Sequence, residues 1–144
     1  MIIDHIGIVV HRIDEGVAQW TSLFGYHPMT EIVANTRQKV RVIFLQKSNS
    51  CLVKLIEPTD EQSPVYKFAL KGGGLHHICF KCDNMTETID RFKDLGLRIL
   101  SDPQPGEAFG NENIAFVYAQ QGLNIELIDT DKKSNRIKVV DEKP

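Results

Sequence analysis

The sequence has few of the features that mark membrane, secreted or nucleic-acid-binding proteins. No apolar run reaches the ~18 residues that a membrane helix needs. Residues 1–10 lack the charged start and the small-residue cleavage site of a signal peptide. The net charge is only −2, from 17 basic and 19 acidic residues, and the basic residues form no stripe. These absences predict a cytoplasmic protein that binds neither nucleic acid nor membranes.

Cysteine is also scarce, with three residues in the chain. Cys79 and Cys82 form a C-x-x-C pattern, which in other contexts is typical of redox or zinc sites. Here the pattern lies inside LHHICFKC, an alternating run that is typical of a strand, and side chains three apart on a strand point to opposite faces. No second cysteine pair could complete a zinc site. We therefore interpret both as small strand residues of a cytosolic protein.

The 144 residues are 42% hydrophobic and 25% charged, which is typical of one globular domain. When the chain is shifted by 72 residues, it matches itself at corresponding points of corresponding elements. This match predicts an internal duplication. The identical pairs are His5 with His77, Ile6 with Ile78, Leu23 with Leu95, Phe44 with Phe116, Leu55 with Leu127, and Ile56 with Ile128.

Each copy shows a strand, an amphipathic helix and then three strands, so the fold class predicted is α+β with two βαβββ modules. Asp14 and the stretch from Asn84 to Thr86 are N-cap candidates, and Gly25 and Gly96 follow the helices. The predicted elements are strand 4–10, helix 14–24 and strands 26–34, 39–47 and 50–57 in the first copy, and strand 76–82, helix 86–95 and strands 97–101, 113–119 and 122–129 in the second.

Together these elements predict a single domain over residues 1–144. Its parts are a module at 3–58, a linker at 59–74, a second module at 75–130 and a polar tail at 131–144.

Two segments outside the modules have simple interpretations. Residues 63–70 could form a short helix in the linker, and the glycines at 72–74 then form a hinge. A phosphate-binding loop should open a helix, whereas this run opens a strand. The tail is expected to be solvated, with a possible edge strand over residues 137–140.

Two of the five histidines occupy the same position in the repeat. His5 and His77 lie in the first strand of each copy, and pseudo-twofold packing would bring their imidazoles together as half of a metal site. His76 should point away from His77, because neighbouring strand residues alternate. His11 and His27 fall at turn-like positions and are expected on the surface.

Glu126 lies between apolar residues in the run LNIELIDT. A carboxylate buried there would have to be paired, protonated or bound to a metal, but alternation equally permits a solvent-exposed face. The 72-residue shift pairs Glu126 with Lys54.

The order of a DHIGIVV strand, an LHHICF strand after a glycine-rich hinge and a terminal IEL resembles the vicinal-oxygen-chelate (glyoxalase/bleomycin resistance/dioxygenase) superfamily. Within it, the stretch LIEPTDEQSPVYKFALKGGGLHHICFKCDN most resembles methylmalonyl-CoA epimerases. The resemblance covers residues 3–130. It implies a curved, roughly eight-stranded mixed sheet around a cleft, and a homodimer.

The resemblance also implies a site. Its metal ligands would be His5, His77 and Glu126, binding a divalent ion such as Co, Ni, Zn, Mn or Mg, with no other cofactor. Where such proteins carry a fourth Glu or Gln ligand, this chain has Lys54, whose ammonium cannot ligate and repels a dication. Lys54 could instead form an ion pair with Glu126, or act as an added electrophile. Glu126 and Lys54 are thus the expected catalytic residues, with Glu126 as the base if its pKa is tuned toward neutral.

These features favour a methylmalonyl-CoA epimerase-like or glyoxalase I-like (lactoylglutathione lyase-like) enzyme that abstracts a proton next to a carbonyl. The substrate would be a small molecule such as an acyl-CoA or another thioester. Lys39, Arg41 and Lys71 are candidates to meet an anionic substrate. Two alternatives stay open: an Fe(II) extradiol-type dioxygenase, since two histidines and a carboxylate form its ligand set, and a metal-free small-molecule-binding protein in which Lys54 pairs with Glu126.

Overall fold

The computed structural model describes residues 1–138, which form a mixed α+β fold with one open, curved, nine-stranded sheet and three helices. The fold class expected from the sequence is confirmed. In chain order the elements are β1 (Ile2–Val9), α1 (Ile13–Phe24), β2 (His27–Pro28), β3 (Val33–Asn35), β4 (Val40–Gln46), β5 (Leu52–Pro58), α2 (Tyr66–Leu70), β6 (Gly74–Lys81), α3 (Met85–Asp94), β7 (Arg98–Pro105), a 3-10 helix (Glu107–Phe109), β8 (Asn113–Ala119) and β9 (Leu123–Ile128).

The strand order is the same in both halves of the sheet. Across the sheet it runs β2-β4-β5-β1-β6-β9-β8-β7, with β3 paired to β4 off this path. In each half the first strand lies at the centre and pairs in parallel with the last strand of that half, β1 with β5 and β6 with β9. The halves join through antiparallel pairing of β1 with β6. The order β5-β1-β6-β9 therefore forms the middle of the sheet.

Alternation along the central strands sorts side chains between two faces. On β5, Val53 and Leu55 pack with Ile13 of α1, and on β9, Ile125 and Leu127 pack with Met85 of α3. The residues between them, including Lys54 and Glu126, face the other way, toward what we call the inner face. A third cluster of buried apolar residues covers part of that face, with Phe44, Ile56, Phe109 and Ile128 among them.

The helix ends agree with the sequence patterns in most respects. Gly25 ends α1 in the left-handed conformation, and the Asn84 side chain accepts a hydrogen bond from the Glu87 N–H at the start of α3. Asp14 is not the N-cap of α1, because the helix already begins at Ile13. The carboxylate of Glu57 on β5 accepts from the Ile13 N–H at 2.7 Å instead, so a tertiary contact caps this helix.

The strand expected over 26–34 is broken into the short β2 and β3. Pro28 has no N–H to donate, and the N–H groups of Met29 and Thr30 both reach the Phe44 carbonyl, at 2.8 and 3.4 Å. The Thr30 hydroxyl accepts from the Phe44 N–H. This doubled contact disrupts the regular ladder, so the segment crosses the end of the sheet as two pieces.

The glycine run after α2 makes a tight return into β6. Helix α2 spans only 66–70, shorter than the expected 63–70, and Gly72, Gly73 and Gly74 all have positive φ. A Cβ on Gly73 would lie 2.2 Å from the Val9 carbonyl oxygen. Close backbone approach, together with φ, therefore requires glycine there.

The segment after β9 packs against the protein and is not simply solvated. The Ser134 N–H donates to the Ala108 carbonyl, Arg136 forms a bridge with Thr30, and the Ile137 N–H donates to the Met29 carbonyl. Lys133 is buried. The edge strand expected over 137–140 lies partly outside the described residues.

Within residues 1–138, no helix is both long and apolar enough to cross a membrane. The homodimer stays a prediction, since the structure contains one chain.

Candidate metal centre and cavity

Two irregularities in the β1–β6 pairing shape the centre of the inner face. Ile3 pairs with Phe80 and His5 with Cys79, so Asp4 is one extra residue on β1. In the same way Gly7 pairs with His77 and Ile8 with Leu75, which leaves His76 as an extra residue on β6. A bulge of this kind re-aims the side chains beside it. The two bulges fall at equivalent positions of the repeat, 4 and 76.

Three side chains from three strands converge between these bulges. His5 Nε2 lies 3.0 Å from Glu126 Oε1, His77 Nε2 lies 3.3 Å from the same oxygen, and the two Nε2 atoms are 3.3 Å apart. All three side chains are buried, with Glu126 fully so. The structure thus brings together the three residues proposed as metal ligands.

The chemistry of this donor set fits a divalent ion. Two imidazole nitrogens and one carboxylate oxygen are common ligands of zinc and related metals. For metal–ligand distances of about 2.1 Å, neighbouring ligands of one ion lie about 3 Å apart, close to the separations seen here. Neither Glu126 oxygen accepts a well-formed hydrogen bond from any residue of 1–138. A fully buried carboxylate without hydrogen bonds is costly, and a bound cation would remove that cost.

The charge states follow from burial and neighbours. Burial lowers the pKa of His77 to about 4, so its imidazole is neutral at pH 7 and able to ligate. Burial alone would raise the pKa of Glu126, but the nearby Lys54 ammonium outweighs this and holds it well below its usual range. The pKa is therefore shifted down, and not toward neutral as expected from the sequence. The ionised carboxylate suits a ligand.

Lys54 lies beside the second carboxylate oxygen of Glu126, the one that does not face the two imidazoles. Its Nζ lies 3.8 Å from Oε2, and its side chain is nearly as buried as the ligands. The Nζ also lies 5.1 Å from the centroid of the Phe109 ring, within the range of a cation–π contact. The lysine thus lies beside the three-residue set and does not complete it.

Each imidazole is held through its Nδ1 by the extra residue of its bulge. His5 Nδ1 lies 2.7 Å from the Asp4 carboxylate, and His77 Nδ1 lies 2.8 Å from His76 Nδ1. A carboxylate can only accept, so His5 donates from Nδ1 to Asp4, and Nε2 is the atom that could ligate. The expectation that His76 points away is wrong, because the bulge turns both neighbouring rings toward the same side.

A cavity of about 370 Å³ opens beside the three-residue cluster. Lys54, His76 and His77 line it, so the cavity and the cluster share the ligand His77. None of its lining residues is acidic. The other lining residues are Gln38, Val40, Val42, Ile56, Pro64, Val65, Leu100, Ser101, Phe116 and Asn124. The cavity therefore suits a partly apolar ligand that carries negative charge.

The inner face is not symmetric, although its strands are. Val42 and Ile56 line the cavity, whereas their repeat equivalents Ile114 and Ile128 do not, although all four belong to one buried cluster with Phe109. Phe109 belongs to the 3-10 helix and stacks on His5, with ring centroids 6.0 Å apart. Of two symmetry-related positions on the inner face, one is thus filled by an aromatic side chain, and the other is the open cavity.

The remaining cationic and histidine candidates lie elsewhere. The Lys39 ammonium donates to Gln62, Arg41 pairs with Glu57, and Lys71 is exposed at the end of α2. None of the three lines the cavity. Arg41, for example, points to the face of β4 opposite Val40 and Val42. His11 and His27 are exposed, as expected.

The contribution of four residues was missed in the sequence. A Cβ on Gly7 would lie 2.2 Å from His77 Cε1, so glycine makes room for that ring. The 72-residue shift pairs Asp4 with His76 and could have identified both as neighbours of the ligands. Lys133 has no such signal, because it lies beyond the repeat.

The chain is similar to known proteins over most of its length. The profile of the Glyoxalase/Bleomycin resistance protein/Dioxygenase superfamily matches residues 4–116. The uncharacterized protein YqjC of Bacillus subtilis is 32% identical over 88% of this chain and 91% of its own length. Ethylmalonyl-CoA/methylmalonyl-CoA epimerase of Cereibacter sphaeroides is 28% identical over 87% of this chain and 95% of its own. A methylmalonyl-CoA epimerase solved in complex with methylmalonyl-CoA and NH4+ superposes with a TM-score of 0.79, at 29% identity, over 93% of this chain and 96% of that one.

The Gly7 contact predicts a steric effect on the cluster. In Gly7→Ala the new methyl group would overlap the His77 ring, which must move away from His5 and Glu126. We expect Co²⁺ affinity, measured by calorimetry, to fall by at least about tenfold. Gly16→Ala in α1 is the control and should leave the affinity unchanged. An unaltered affinity in Gly7→Ala would show that His77 does not hold the ion.

The Lys54 position predicts an electrostatic effect. Two unit charges ~4 Å apart interact by about 4 kcal/mol at an effective dielectric of ~20. Removing the ammonium in Lys54→Gln should therefore tighten Co²⁺ binding, by up to roughly a thousandfold, and also supplies a neutral amide ligand. Lys132→Gln, which removes an exposed charge, should change little. If calorimetry gives equal affinities for Lys54→Gln and the parent protein, the Lys54 ammonium does not act on the site.

The pKa of His77 predicts acid sensitivity in the metal-free protein. Below its ordinary value of 6.5 the unfolded chain takes up a proton that the folded chain refuses until about pH 4. As the pH is lowered from 6.5 to about 4, the free energy of unfolding should therefore decrease, by roughly 3 kcal/mol from this group. Urea denaturation with EDTA present measures it. His77→Gln should flatten this slope and the exposed His11→Gln should not; the reverse pattern would contradict the assignment.

Proposed function

Because this chain belongs to the glyoxalase/bleomycin resistance protein/dioxygenase superfamily, we propose that it is a metal-dependent enzyme of the methylmalonyl-CoA epimerase type. It would remove a proton from the carbon next to the carbonyl of an acyl thioester and return it. The named relatives support an acyl-CoA substrate, because an epimerase of this fold is known with methylmalonyl-CoA bound.

The observation that carries the proposal is the meeting of the ligand cluster with the cavity. His5, His77 and Glu126 place three donor atoms within 3.3 Å of one another. His77 also lines an open cavity without acidic residues. A ligand in the cavity can therefore reach both the cluster and Lys54.

Three side chains would hold the ion, through His5 Nε2, His77 Nε2 and Glu126 Oε1. A divalent ion bound there would polarise the thioester carbonyl and stabilise the negative charge that develops on its oxygen. The neutral imidazole of His77 and the ionised carboxylate of Glu126 need lose no proton to bind it.

Lys54 would contact a negatively charged oxygen of the acyl group. Its ammonium lies at the cavity wall and is shielded from water, where electrostatic contacts are stronger than in solvent. An epimerase that binds methylmalonyl-CoA together with NH4+ supports the idea that an ammonium group is compatible with this substrate. In this chain the ammonium would be part of the protein.

His76 would donate a hydrogen bond to the carbonyl oxygen of the substrate. If His77 binds the ion through Nε2, its Nδ1 carries the proton and donates to His76 Nδ1, so a neutral His76 carries its own proton on Nε2. Burial and Lys54 lower the pKa of His76, which keeps the ring neutral at pH 7, and the side chain lines the cavity. The C–H bonding electrons would move to the carbonyl oxygen while the proton moves to Glu126 Oε2, the carboxylate oxygen that faces Lys54.

Proton exchange in D2O tests the proposal. Methylmalonyl-CoA and ethylmalonyl-CoA are incubated with the protein and Co²⁺, and mass spectrometry follows deuterium incorporation at the α-carbon. We expect exchange that EDTA abolishes. At saturating Co²⁺, His76→Leu should slow it by about 10²–10³-fold, because the donor to the developing oxyanion is lost, and the exposed His27→Leu is the control.

Other outcomes would overturn the proposal in distinct ways. No exchange with any divalent ion, combined with cleavage of a catechol ring in the presence of Fe²⁺, would favour the dioxygenase. Tight binding of acyl-CoA without exchange and without metal binding would favour the small-molecule-binding protein.

A further inference from the structure

Lys133 is the buried cation that the site chemistry described so far does not use. It lies after β9, outside both repeats, yet its side chain is only 2% exposed. The neighbouring Lys132 is exposed and pairs with Glu112 at the surface. Burying an ammonium is costly unless it is paired, so the placement of Lys133 needs a compensating contact.

The compensating contacts are a carboxylate and two aromatic rings. Lys133 Nζ lies 3.2 Å from Asp4 Oδ1. It also lies 5.3 Å from the ring centroids of both Phe44 and Phe109, which is the range of cation–π attraction. The ammonium is thus held from one side by charge and from the other by the rings.

Asp4 connects this lysine to the ligand cluster. One carboxylate oxygen, Oδ1, faces Lys133, and the other, Oδ2, accepts the hydrogen bond from His5 Nδ1. The opposite nitrogen of that ring, Nε2, lies 3.0 Å from Glu126. A continuous chain of contacts therefore runs from Lys133 through Asp4 to a ligand nitrogen.

The backbone of the segment keeps the lysine in place. The Ser134 N–H donates to the Ala108 carbonyl, and the Ser134 hydroxyl accepts from the Gly110 N–H. Asn135 accepts through its carbonyl from the Glu31 N–H. The segment is thus fixed both to the loop that carries Phe109 and to the loop before β3.

We infer that Lys133 is a positioning residue of the metal centre, which orients His5 by fixing the Asp4 carboxylate. The inference rests on the proposed function, because both require that the three-residue cluster binds a metal. Residues that hold the outer nitrogen of a ligand histidine fix both its tautomer and its ring orientation. The equivalent support for His77 is an imidazole, His76, so the two ligands are held by different chemistry.

The sign of the effect separates positioning from simple charge. Lys133 is a cation near a site for cations, so its charge alone repels a bound dication. If the lysine acted only through charge, removing it would tighten metal binding. If it positions Asp4, removing it frees the carboxylate and weakens metal binding.

Calorimetric titration with Co²⁺ tests the inference. Lys133→Met keeps the apolar stem between the rings and removes the ammonium, and we expect binding about tenfold weaker. The matched control, Lys132→Met, should bind like the parent protein. In an Asp4→Asn background, Lys133→Met should change the affinity less than about twofold, because its path to His5 is already broken. Tighter or unchanged binding in Lys133→Met, or an undiminished effect in the Asp4→Asn background, would overturn the inference.

A second readout needs no metal. In ¹⁵N-labelled, metal-free protein, His5 should show an Nδ1–H signal that is held by the hydrogen bond to Asp4. Lys133→Met should lose this signal, whereas Lys132→Met should keep it. An unchanged His5 spectrum in Lys133→Met would overturn the inference. If the parent protein binds no Co²⁺, the proposed function fails, but this spectrum still decides the role of Lys133.

If Lys133→Met does not fold, Lys133→Arg keeps a donor near Asp4 and should retain the Nδ1–H signal. Loss of the signal in that variant would equally overturn the inference.

Discussion

The pairing of β1 with β6 is the contact on which the rest of the molecule depends. It is the only place where the two halves of the sheet, as described over residues 1–138, share a strand ladder. Its two bulges set the direction of the histidine side chains, and the absence of a side chain at Gly7 leaves space for one ring. A regular ladder would keep strict alternation, and His76 could not then face the same side as His77. The irregularity of the pairing is therefore what creates the cluster.

Four buried charges balance one another around this contact. Lys54 and Lys133 carry positive charge, and Asp4 and Glu126 carry negative charge, while the rings of Phe44 and Phe109 lie near both ammonium groups. Pairing offsets much of the cost of burying each charge. The metal-free centre is thus neutral when the histidines are neutral, and a dication would leave it with an excess of two positive charges. An anionic substrate would restore the balance, which links metal binding to substrate binding by electrostatics alone.

The sequence predicted the parts of the structure that depend on periodicity. The 72-residue shift paired His5 with His77 and Lys54 with Glu126, and alternation on β5 and β9 placed the latter pair on one face. These arguments work because strands project side chains with a fixed period of two. The direction of His76 was wrong because a bulge adds one residue and breaks that period. The burial of Lys133 and the packing of Phe109 could not be predicted, since both depend on tertiary contacts of loops that carry no repeat. The N-cap of α1 failed for the same reason, because Glu57 is distant in sequence.

The aromatic ring that fills one part of the inner face removes the twofold symmetry that the backbone of the sheet would give to the site. A twofold-symmetric sheet would present the same environment to both faces of a flat molecule bound on its axis. Here Phe109 fills one of the two symmetry-related positions on the inner face, and the other remains open beside His76 and Phe116. The repeat has also diverged at its central pair, with an ammonium on one side of the axis and a carboxylate on the other. A planar, achiral species held there therefore meets unlike groups above and below, so the protein can tell its two faces apart although the scaffold that holds it arose from two copies of one unit.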